Sequence, residues 1–214
     1  RTDLGNVEAL TKLVQGFDVV LGALPSRIGF QSLQTVVSCG KPYCDISFMP
    51  EDGTAADALA KKHGATAVVD CGVSPGLSNL MVGVAAAELE RVERAVIYVG
   101  GLPKARHWPF QYKAPFAPSD VIEEYTRPAR MVEGGTVVTK PALSEPELIE
   151  FPRIGSLEAF NTDGLRSLLK TVPADDMREK TLRYPGHCEL MRAMRETGLF
   201  RTDAIDVKGT PVRP

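Results

Sequence analysis

Short strand-like runs alternate with longer helical segments over the first 75 residues, and this alternation constrains the fold more than any other feature. The strand-like runs are short and mostly apolar, and they lie at residues 18–22, 42–46 and 67–70. The segments with apolar residues at helical spacing lie at residues 6–15, 28–38 and 51–63. Units of this length imply right-handed crossovers, so the sequence predicts a doubly wound parallel sheet in an α/β arrangement.

The character of the chain changes after Gly76. A long helix rich in small apolar residues is predicted at residues 77–89, and a strand at residues 95–99. The stretch that follows, up to Pro118, is dense in proline and aromatic residues and is typical of neither helix nor regular strand. We therefore expect a functional loop over a pocket in this region.

Two β runs at residues 129–132 and 136–139 flank Gly134 and Gly135, which indicates a hairpin because glycines supply the positive φ of tight turns. Other predicted elements are strands at residues 148–151 and 181–184 and helices at residues 164–171 and 187–197. The second half is thus predicted to be α+β with an antiparallel or mixed sheet. The tail after Phe200 is only weakly specified.

Charge and hydropathy exclude several classes of protein. The formal net charge is −2 and the sequence has no block of Lys or Arg that could neutralise a row of phosphates, so nucleic acid is not an expected partner. No apolar run is long enough to span a bilayer and no secretory signal precedes the first helix, so we expect no membrane partner and a cytoplasmic location. The four cysteines form no CxxC pair, which favours reduced thiols in a core over disulfides or metal.

Five motifs together resemble one known family. They are TLRYPGHCELM with the later ETGLF, GVSPGLSN, VGGLP, YCDIS and ALP, beginning at residues 181, 196, 72, 99, 43 and 23. Their order and spacing are similar to those of saccharopine dehydrogenase-like proteins of the lysine 6-dehydrogenase and saccharopine reductase type. Each motif is weak alone, but the set covers nearly the whole chain. Members related to saccharopine have Gly-Leu-Asp-Pro-Gly where this chain has Val73-Ser74-Pro75, which is more similar to the lysine 6-dehydrogenase branch.

The resemblance implies a domain organisation. Residues 1–75 correspond to part of an NAD(P)-binding Rossmann domain, residues 76–199 to the catalytic and dimerisation domain, and residues 200–214 to a tail returning toward the Rossmann domain. The family's opening strand, GxGxxG loop and ribose-binding acidic residue are not in this sequence, so we expect the chain to be a fragment. The fold expected is a partial Rossmann-type parallel sheet followed by an α+β domain with a mixed sheet.

The resemblance also implies an activity. It predicts an oxidoreductase that moves a hydride from the C–N carbon of a lysine-like amino acid to NAD, with NADP as the alternative, in a homodimer formed through the second domain. A saccharopine or carboxynorspermidine dehydrogenase-type reductase is the rival hypothesis. A third is a catalytically silent dimerisation or binding module, because the amides that hold the pyrophosphate are outside this sequence and NAD is expected to bind weakly to it.

Cofactor contacts are predicted at two places. Ligands of open α/β sheets lie beyond the carboxyl ends of the strands, which favours backbone and apolar contacts from Ala23, Leu24 and Pro25. The alternative is a plain strand-to-helix turn. The second place is the start of the long helix, where Ser74 is expected as the cap and Pro75 at the first helical position. This helix end could receive a substrate carboxylate, or Gly72, Pro75 and Gly76 could lie beside the nicotinamide. There the alternative is a well-capped helix and nothing more.

The proton chemistry requires a general base, because the substrate ammonium must lose a proton before the hydride can leave. Asp70, at the end of a predicted strand, is the first candidate and Asp45, ending the neighbouring strand, is the second. Either carboxylate could instead cap a turn. His187 titrates closest to neutral pH and is a candidate for passing protons to water that attacks the imine, with a structural role as the alternative.

Substrate contacts are predicted for six residues. Arg183 is the candidate for the α-carboxylate, because its planar fork makes two parallel hydrogen bonds to a carboxylate; an intramolecular salt bridge is the alternative. The remaining candidates, each of which could instead serve the local structure or a dimer contact, are Ser74, Asn79, Tyr184, Trp108 and Lys113. No metal ligand is predicted.

Overall fold

A three-stranded parallel sheet organises the first of the two units into which the chain divides, Arg1–Ala85. The computed structural model describes residues 1–213. In chain order the elements are α1 Val7–Val14, β1 Val20–Gly22, α2 Ser26–Ser38, β2 Tyr43–Asp45, a 3-10 turn Gly53–Ala56, α3 Asp57–His63, β3 Ala67–Val68 and α4 Leu77–Glu88. The strand order is β1-β2-β3, and both pairings are parallel, as the sequence predicts.

Local signals explain where the helices begin and end. The Asn6 side chain accepts a hydrogen bond from the Ala9 amide and so caps α1, while Gly64, at a φ of 64°, ends α3 in the left-handed conformation. The predicted helix over residues 51–63 is divided, because the Asp52 side chain caps a 3-10 turn before α3 begins. The predicted strands are each two residues or more longer than the observed ones.

The helices cover one face of this sheet. Buried side chains of α1, α2 and α3 pack with Tyr43 of β2 in one core. On the opposite face, Leu21 and Val68 flank Cys44 in register, and both side chains are more than half exposed. Parallel sheets are ordinarily covered on both faces. Because Leu21 and Val68 are exposed, this face is open in the first unit, unlike the doubly wound arrangement that the alternation predicts.

Gly22 lies where no side chain fits. A Cβ at this position would be 2.0 Å from the Tyr43 hydroxyl and 2.3 Å from Asp45 Oδ1, and both of those residues are buried. Because a core this tight resists added atoms, Gly22→Ala is expected to lower the free energy of unfolding by about 1–3 kcal/mol. Urea denaturation measures this loss, and Gly83→Ala, where a Cβ meets open space, is the matched control. A Gly22→Ala protein as stable as the wild type would contradict this packing.

A six-stranded mixed sheet organises the second unit, which begins at Ala86. Its elements are β4 Val92–Val99, α5 Pro118–Thr126, β5 Ala129–Glu133, β6 Thr136–Lys140, β7 Glu147–Phe151, β8 Gly155–Thr162, α6 Leu168–Thr171, β9 Ala174–Arg183 and α7 His187–Glu196. Strands β6, β5, β9, β8 and β7 follow one another in antiparallel pairs, and β4 runs parallel to β9. This arrangement confirms the predicted mixed sheet.

Strand β9 is the centre of this unit, since it pairs with β4, β5 and β8. Its last residues are buried on both faces, and Arg183 near its end contacts Glu124 and Tyr125 of α5. The core between the sheet and helices α5 and α7 contains Tyr125, Leu143, Phe160, Cys188 and Met191. A buried central strand holds its side chains in fixed positions. The polar residues at the carboxyl end of β9 are held in this way.

Several elements differ from the prediction. Helix α5 and strand β8 were not predicted, β9 begins at Ala174 rather than at residue 181, and only Leu168–Thr171 of the helix predicted over residues 164–171 is helical. Gly164 lies outside this helix; its amide donates to the buried Glu179 carboxylate, and a Cβ there would lie 2.6 Å from that side chain. The tail forms an exposed hairpin, β10 Ile205–Val207 and β11 Thr210–Val212.

Candidate functional site

Arg183 is held in a buried ion pair at the end of β9. Its guanidinium contacts the Glu124 carboxylate of α5, donates to the Leu182 carbonyl at 3.0 Å, and stacks on the Tyr112 ring 4.1 Å from its centroid. Arg183 is 2% exposed. Burial raises the pKa of Glu124, and the charge of Arg183 opposes this by favouring the carboxylate. The predicted carboxylate-binding Arg is therefore already matched with a carboxylate of its own chain.

A hydrogen-bonded chain connects Arg183 to His187. Arg183 Nε donates to the Tyr125 hydroxyl at 3.4 Å, and this hydroxyl is 2.9 Å from His187 Nε2. His187 Nδ1 lies 2.8 Å from the Phe110 carbonyl oxygen, which only accepts, so we assign the proton to Nδ1. His187 Nε2 then accepts from Tyr125. Two residues predicted separately, Arg183 and His187, thus belong to one polar cluster.

The protonation states in this cluster follow from its burial. Burial lowers the pKa of His187, and the Phe110 carbonyl opposes this, so the neutral imidazole is favoured. Burial also raises the pKa of Tyr125 to about 12, in spite of the nearby Arg183 charge. Tyr125 therefore keeps its proton and can donate it to the imidazole. The cluster holds one compensated ion pair, Arg183 with Glu124, and otherwise neutral groups.

A second buried carboxylate belongs to Glu179 of β9. Glu179 precedes Arg183 by four residues, so the two side chains lie on the same face of the sheet. Glu179 accepts hydrogen bonds from the Thr162 hydroxyl and from the Gly164 amide, the latter at 3.1 Å. Complete burial raises its pKa to about 7, with a further contribution from the Glu124 charge. Glu179 is thus poised between its acid and its carboxylate at neutral pH. The sequence analysis did not single it out.

The Pro- and aromatic-rich loop places its predicted residues differently. The Tyr184 hydroxyl donates to the Pro103 carbonyl at 2.9 Å, and Arg106 stacks on the Tyr184 ring. Trp108 is 87% exposed and Lys113 is also exposed. The structure therefore attaches Tyr184 to this loop and does not bring Trp108 or Lys113 into the Arg183 cluster. Tyr112, which stacks on Arg183, is the loop residue that reaches it.

In the first unit, Asp45 holds a turn. Its Oδ1 accepts from the Ser47 amide at 3.1 Å and the Ser47 hydroxyl at 2.7 Å, and the Ser47 hydroxyl oxygen in turn accepts from the Leu24 amide at 2.9 Å. Asp45 is fully buried. These bonds favour the turn-capping alternative over the general-base prediction for Asp45. The Leu24 amide is engaged in the same network, so this turn offers a ligand apolar contact rather than that donor.

Residues 72–79 form a closed turn that leads into the first residues of α4. Helix α4 begins at Leu77, so the prediction that Pro75 occupies the first helical position, after a Ser74 cap, is wrong. The Asn79 side chain accepts from the Gly76 amide at 3.2 Å, and the Ser74 and Ser78 hydroxyls are 2.9 Å apart. These polar groups are therefore hydrogen-bonded within the turn.

The two glycines of this turn lie against each other. Gly72 and Gly76 form a parallel bridge, Gly76 has a φ of 138°, and a Cβ on it would be 2.0 Å from the Gly72 carbonyl oxygen. Both positions therefore serve the turn's geometry, and their cofactor contacts remain predictions. Asp70, just before the turn, is half-buried at a φ of 57°. Its role as general base also remains a prediction.

Among residues 1–213, no group of three or more His, Cys, Asp or Glu side chains is placed to hold a metal ion. None of the described helices combines the length and apolar character needed to cross a membrane.

Comparison with protein families gives a match over most of the chain. The model of the saccharopine dehydrogenase C-terminal domain matches residues 72–211. The chain belongs to this family. The family domain thus includes the residues 72–79 turn, the mixed sheet and the whole Arg183 cluster. The resemblance drawn from the sequence motifs is confirmed at this level.

Relatives of the saccharopine dehydrogenase family are similar to nearly the whole chain. The α-aminoadipic semialdehyde synthase of Arabidopsis thaliana is 26% identical over all of this chain and 21% of its own length. The saccharopine dehydrogenase [NADP(+), L-glutamate-forming] of Saccharomyces cerevisiae is 23% identical over 98% of this chain and 50% of its own. The chain therefore spans half or less of the curated relatives that it matches.

A solved structure has the same fold. The apo saccharopine dehydrogenase (L-Glu forming) of Saccharomyces cerevisiae superposes with a TM-score of 0.71 at 20% identity, covering 95% of this chain and 48% of that one. This likeness confirms the fold class, a partial parallel sheet followed by a mixed-sheet domain.

The sequence analysis found only part of the cluster in the family domain. It selected Arg183 and His187 from a motif and from residue chemistry, but not Glu124 or Tyr125, which lie on a helix that it missed. Pro118 at the first helical position was the available signal for that helix. Neither partner is near Arg183 in sequence, so only the tertiary structure brings them together.

Proposed function

We propose that the protein is an NAD(P)-dependent oxidoreductase that acts on the C–N bond of a lysine-like amino acid, and more narrowly that it is of the L-lysine 6-dehydrogenase type. The observation that carries the proposal is the family match over residues 72–211, because relatives with this domain are named as saccharopine dehydrogenases. A saccharopine-type reductase is supported equally by those names. The Val73-Ser74-Pro75 turn, which lacks the carboxylate of the saccharopine-related motif, favours lysine.

The two hypotheses share one reacting carbon. Saccharopine is a secondary amine that joins the ε-carbon of lysine to the α-carbon of glutamate. An enzyme that releases glutamate as the amine must oxidise the lysine side, so the hydride leaves the ε-carbon. Oxidation of free lysine at its ε-amine removes a hydride from the same carbon. The hypotheses therefore differ in the group on nitrogen, not in the bond that is oxidised.

Arg183 is the proposed anchor for the substrate α-carboxylate. In the structure, the Glu124 carboxylate is paired with the Arg183 guanidinium, which is the group that would bind the substrate carboxylate. Substrate binding at Arg183 would therefore be an exchange of one carboxylate for another. Burial raises the pKa of Glu124, which makes the displaced side chain easier to protonate than an exposed glutamate. Tyr112 stays stacked on the guanidinium and holds it in place during this exchange.

His187 is proposed as a proton carrier rather than the first base. In its neutral form it holds a proton at Nδ1 and offers Nε2 as an acceptor, which Tyr125 now uses. A proton from water could be taken at Nε2 if the Tyr125 hydroxyl turned away. Asp70 remains the proposed base for the substrate ammonium, because the alternative carboxylate, Asp45, is fully buried under hydrogen bonds from Ser47.

The cofactor contacts proposed for the first unit fit only part of an NAD(P) molecule. Ala23 is exposed at the carboxyl end of β1, and Leu24 and Pro25 follow it at the surface of the turn. They can pack against an uncharged part of the cofactor, but Leu24 and Pro25 offer no free amide to its pyrophosphate, since Pro25 has no amide hydrogen and that of Leu24 is used. The cofactor supplies the carbon that accepts the hydride.

We also propose that the enzyme is a homodimer formed through its second domain. Two exposed apolar residues, Val137 on β6 and Leu148 on β7, lie on the terminal strands of the mixed sheet and support a contact there. Multi-angle light scattering of the purified protein tests this proposal. A monomer at micromolar concentration would contradict it.

Substrate comparison tests the proposed function. The full-length protein is incubated with NAD or NADP and with either L-lysine or saccharopine, and the reduced nicotinamide is followed by its absorbance. The proposal expects reduction with one of the two substrates, and with lysine if the narrower hypothesis is correct. Reduction with saccharopine alone would select the rival. No reduction with either substrate, by a protein shown to be folded, would overturn the proposal.

A further inference from the structure

Cys44 and Cys71 lie on the open face of the parallel sheet. Cys44 is the middle residue of β2, and its neighbours Tyr43 and Asp45 are both buried against the helices, so its side chain points to the opposite face. There it lies in register between Leu21 and Val68, whose side chains are more than half exposed. The Cys44 thiol is therefore on the less covered side of the sheet.

An extra residue brings Cys71 to the same face. The register of β2 and β3 would direct the amide of residue 70 to the Asp45 carbonyl, but the Cys71 amide makes that bond, at 2.9 Å. Asp70, at a φ of 57°, forms the bulge that causes this shift. Because side chains alternate along a strand, the shift moves Cys71 from the helix-covered face to the face of Cys44.

The two thiols are neighbours on this face. Cys44 acts as a side-chain hydrogen-bond partner in raising the pKa of Cys71, and the Cys71 Sγ lies 3.6 Å from the Val68 carbonyl oxygen. Both cysteines are half-exposed free thiols. The other two cysteines are placed differently, since Cys39 packs against the helical core of the first unit and Cys188 is buried in the second.

We propose that Cys44 and Cys71 form a redox-active dithiol that closes reversibly to a disulfide when the protein meets a low-molecular-weight disulfide. The thiolate of one cysteine attacks the oxidant's sulfur, which forms a mixed disulfide and releases one thiolate. The second cysteine loses its proton and attacks the mixed disulfide, which forms the Cys44–Cys71 bond and releases the second thiolate. Two protein thiols are oxidised, and one small disulfide is reduced to two thiols.

The bond would fasten the end of β2 to the segment that leads into the residues 72–79 turn. This is an effect on the candidate cofactor side of the first unit, and it goes beyond the proposed function. Burial, and after it the contact with Cys44, raises the pKa of Cys71. Because the thiolate is the attacking form, closure is expected to be slow at neutral pH and to accelerate as the pH rises.

Peptide mapping tests the proposal. The intact protein is incubated with glutathione disulfide, alkylated and digested without reduction, and the peptides are analysed by mass spectrometry. We expect a peptide pair joined through Cys44 and Cys71, lighter by two hydrogen atoms than the reduced pair and separated by dithiothreitol. Cys44→Ser and Cys71→Ser should each abolish the joined pair, whereas Cys39→Ser, the matched control, should retain it.

A second probe does not depend on any variant. Phenylarsine oxide bridges two thiols that are in contact and releases water without changing their oxidation state. One equivalent is expected to protect Cys44 and Cys71 of the wild-type protein from alkylation and to leave Cys39 reactive. Oxidation that stops at mixed disulfides, a bond that uses Cys39 or joins two molecules, or an arsenical that protects neither thiol would each overturn the proposal. These readouts are covalent, so they are independent of whether the proposed oxidoreductase activity is found.

Discussion

Replacing Arg183 with methionine is expected to lower the free energy of unfolding by about 3–5 kcal/mol, because the change leaves the Glu124 carboxylate buried without its cation. Arg183 of β9 is 2% exposed, and its guanidinium contacts the Glu124 carboxylate. Its loss also removes the group that stacks on Tyr112 and the Nε donor of the Tyr125 hydroxyl. Chemical denaturation followed by circular dichroism measures the effect.

A double variant separates the ion pair from general packing. Glu124→Gln combined with Arg183→Met removes both charges, so it is expected to recover part of the stability lost in Arg183→Met alone. Arg201→Met is the matched control, since Arg201 pairs with Asp203 on the surface and its loss should leave the free energy of unfolding nearly unchanged. An equally small change in Arg183→Met, or no recovery in the double variant, would show that the buried pair does not stabilise the fold.

Glu179→Gln is expected to remove a pH dependence of stability that amounts to about 3 kcal/mol. The pKa of Glu179 is raised from 4.5 to about 7, so the folded protein binds this proton more tightly than the unfolded chain does. The contribution of Glu179 to the free energy of unfolding is therefore fully present below about pH 4.5, and it is lost as the pH rises through about 7. Glutamine has the shape of glutamate and stays neutral, so the Glu179→Gln variant does not lose this stability as the pH rises.

The measurement is the difference in free energy of unfolding between the wild type and Glu179→Gln at several pH values. The wild type should fall relative to the variant between about pH 4.5 and about pH 8, since the shift spans this window. Glu93→Gln, which changes an exposed glutamate on β4, is the control and should run parallel to the wild type. A constant difference between the wild type and Glu179→Gln across this window would mean that folding does not raise the pKa of Glu179.

The alternating pattern of the first 75 residues was sufficient to predict the parallel sheet, because short buried strands and amphipathic helices leave a clear periodicity. Strand β8 was missed for the opposite reason. It contains Glu158 and Asn161, which are polar positions that a periodicity search assigns to the surface. The structure buries Asn161 completely, and Glu158 accepts a hydrogen bond from the Cys188 amide. Partners distant in sequence make such a strand possible, and the sequence alone does not show them.

The residues of the candidate site also divide into those that the sequence indicated and those that it did not. Residue chemistry and the family motif indicated Arg183 and His187, because an Arg fork and a neutral-range His suggest roles by themselves. Glu124 and Glu179 carry no such local signal. Their importance comes from burial, which leaves Glu124 against a guanidinium and Glu179 with a pKa near neutral. Asp45 shows the reverse, since the carboxylate at this strand end is buried under hydrogen bonds from Ser47, which favour the turn-capping alternative over the predicted general base.

The proposed activity is the transfer of a hydride from the C–N carbon of a lysine-like amino acid to a nicotinamide cofactor. The most direct test uses L-lysine and saccharopine carrying deuterium on the ε-carbon, each incubated with the full-length protein and NAD or NADP. Mass spectrometry of the recovered cofactor then reports where the label goes. The account predicts deuterium in the reduced nicotinamide with one of the two substrates. A folded protein that yields no deuterated nicotinamide from either substrate would contradict it.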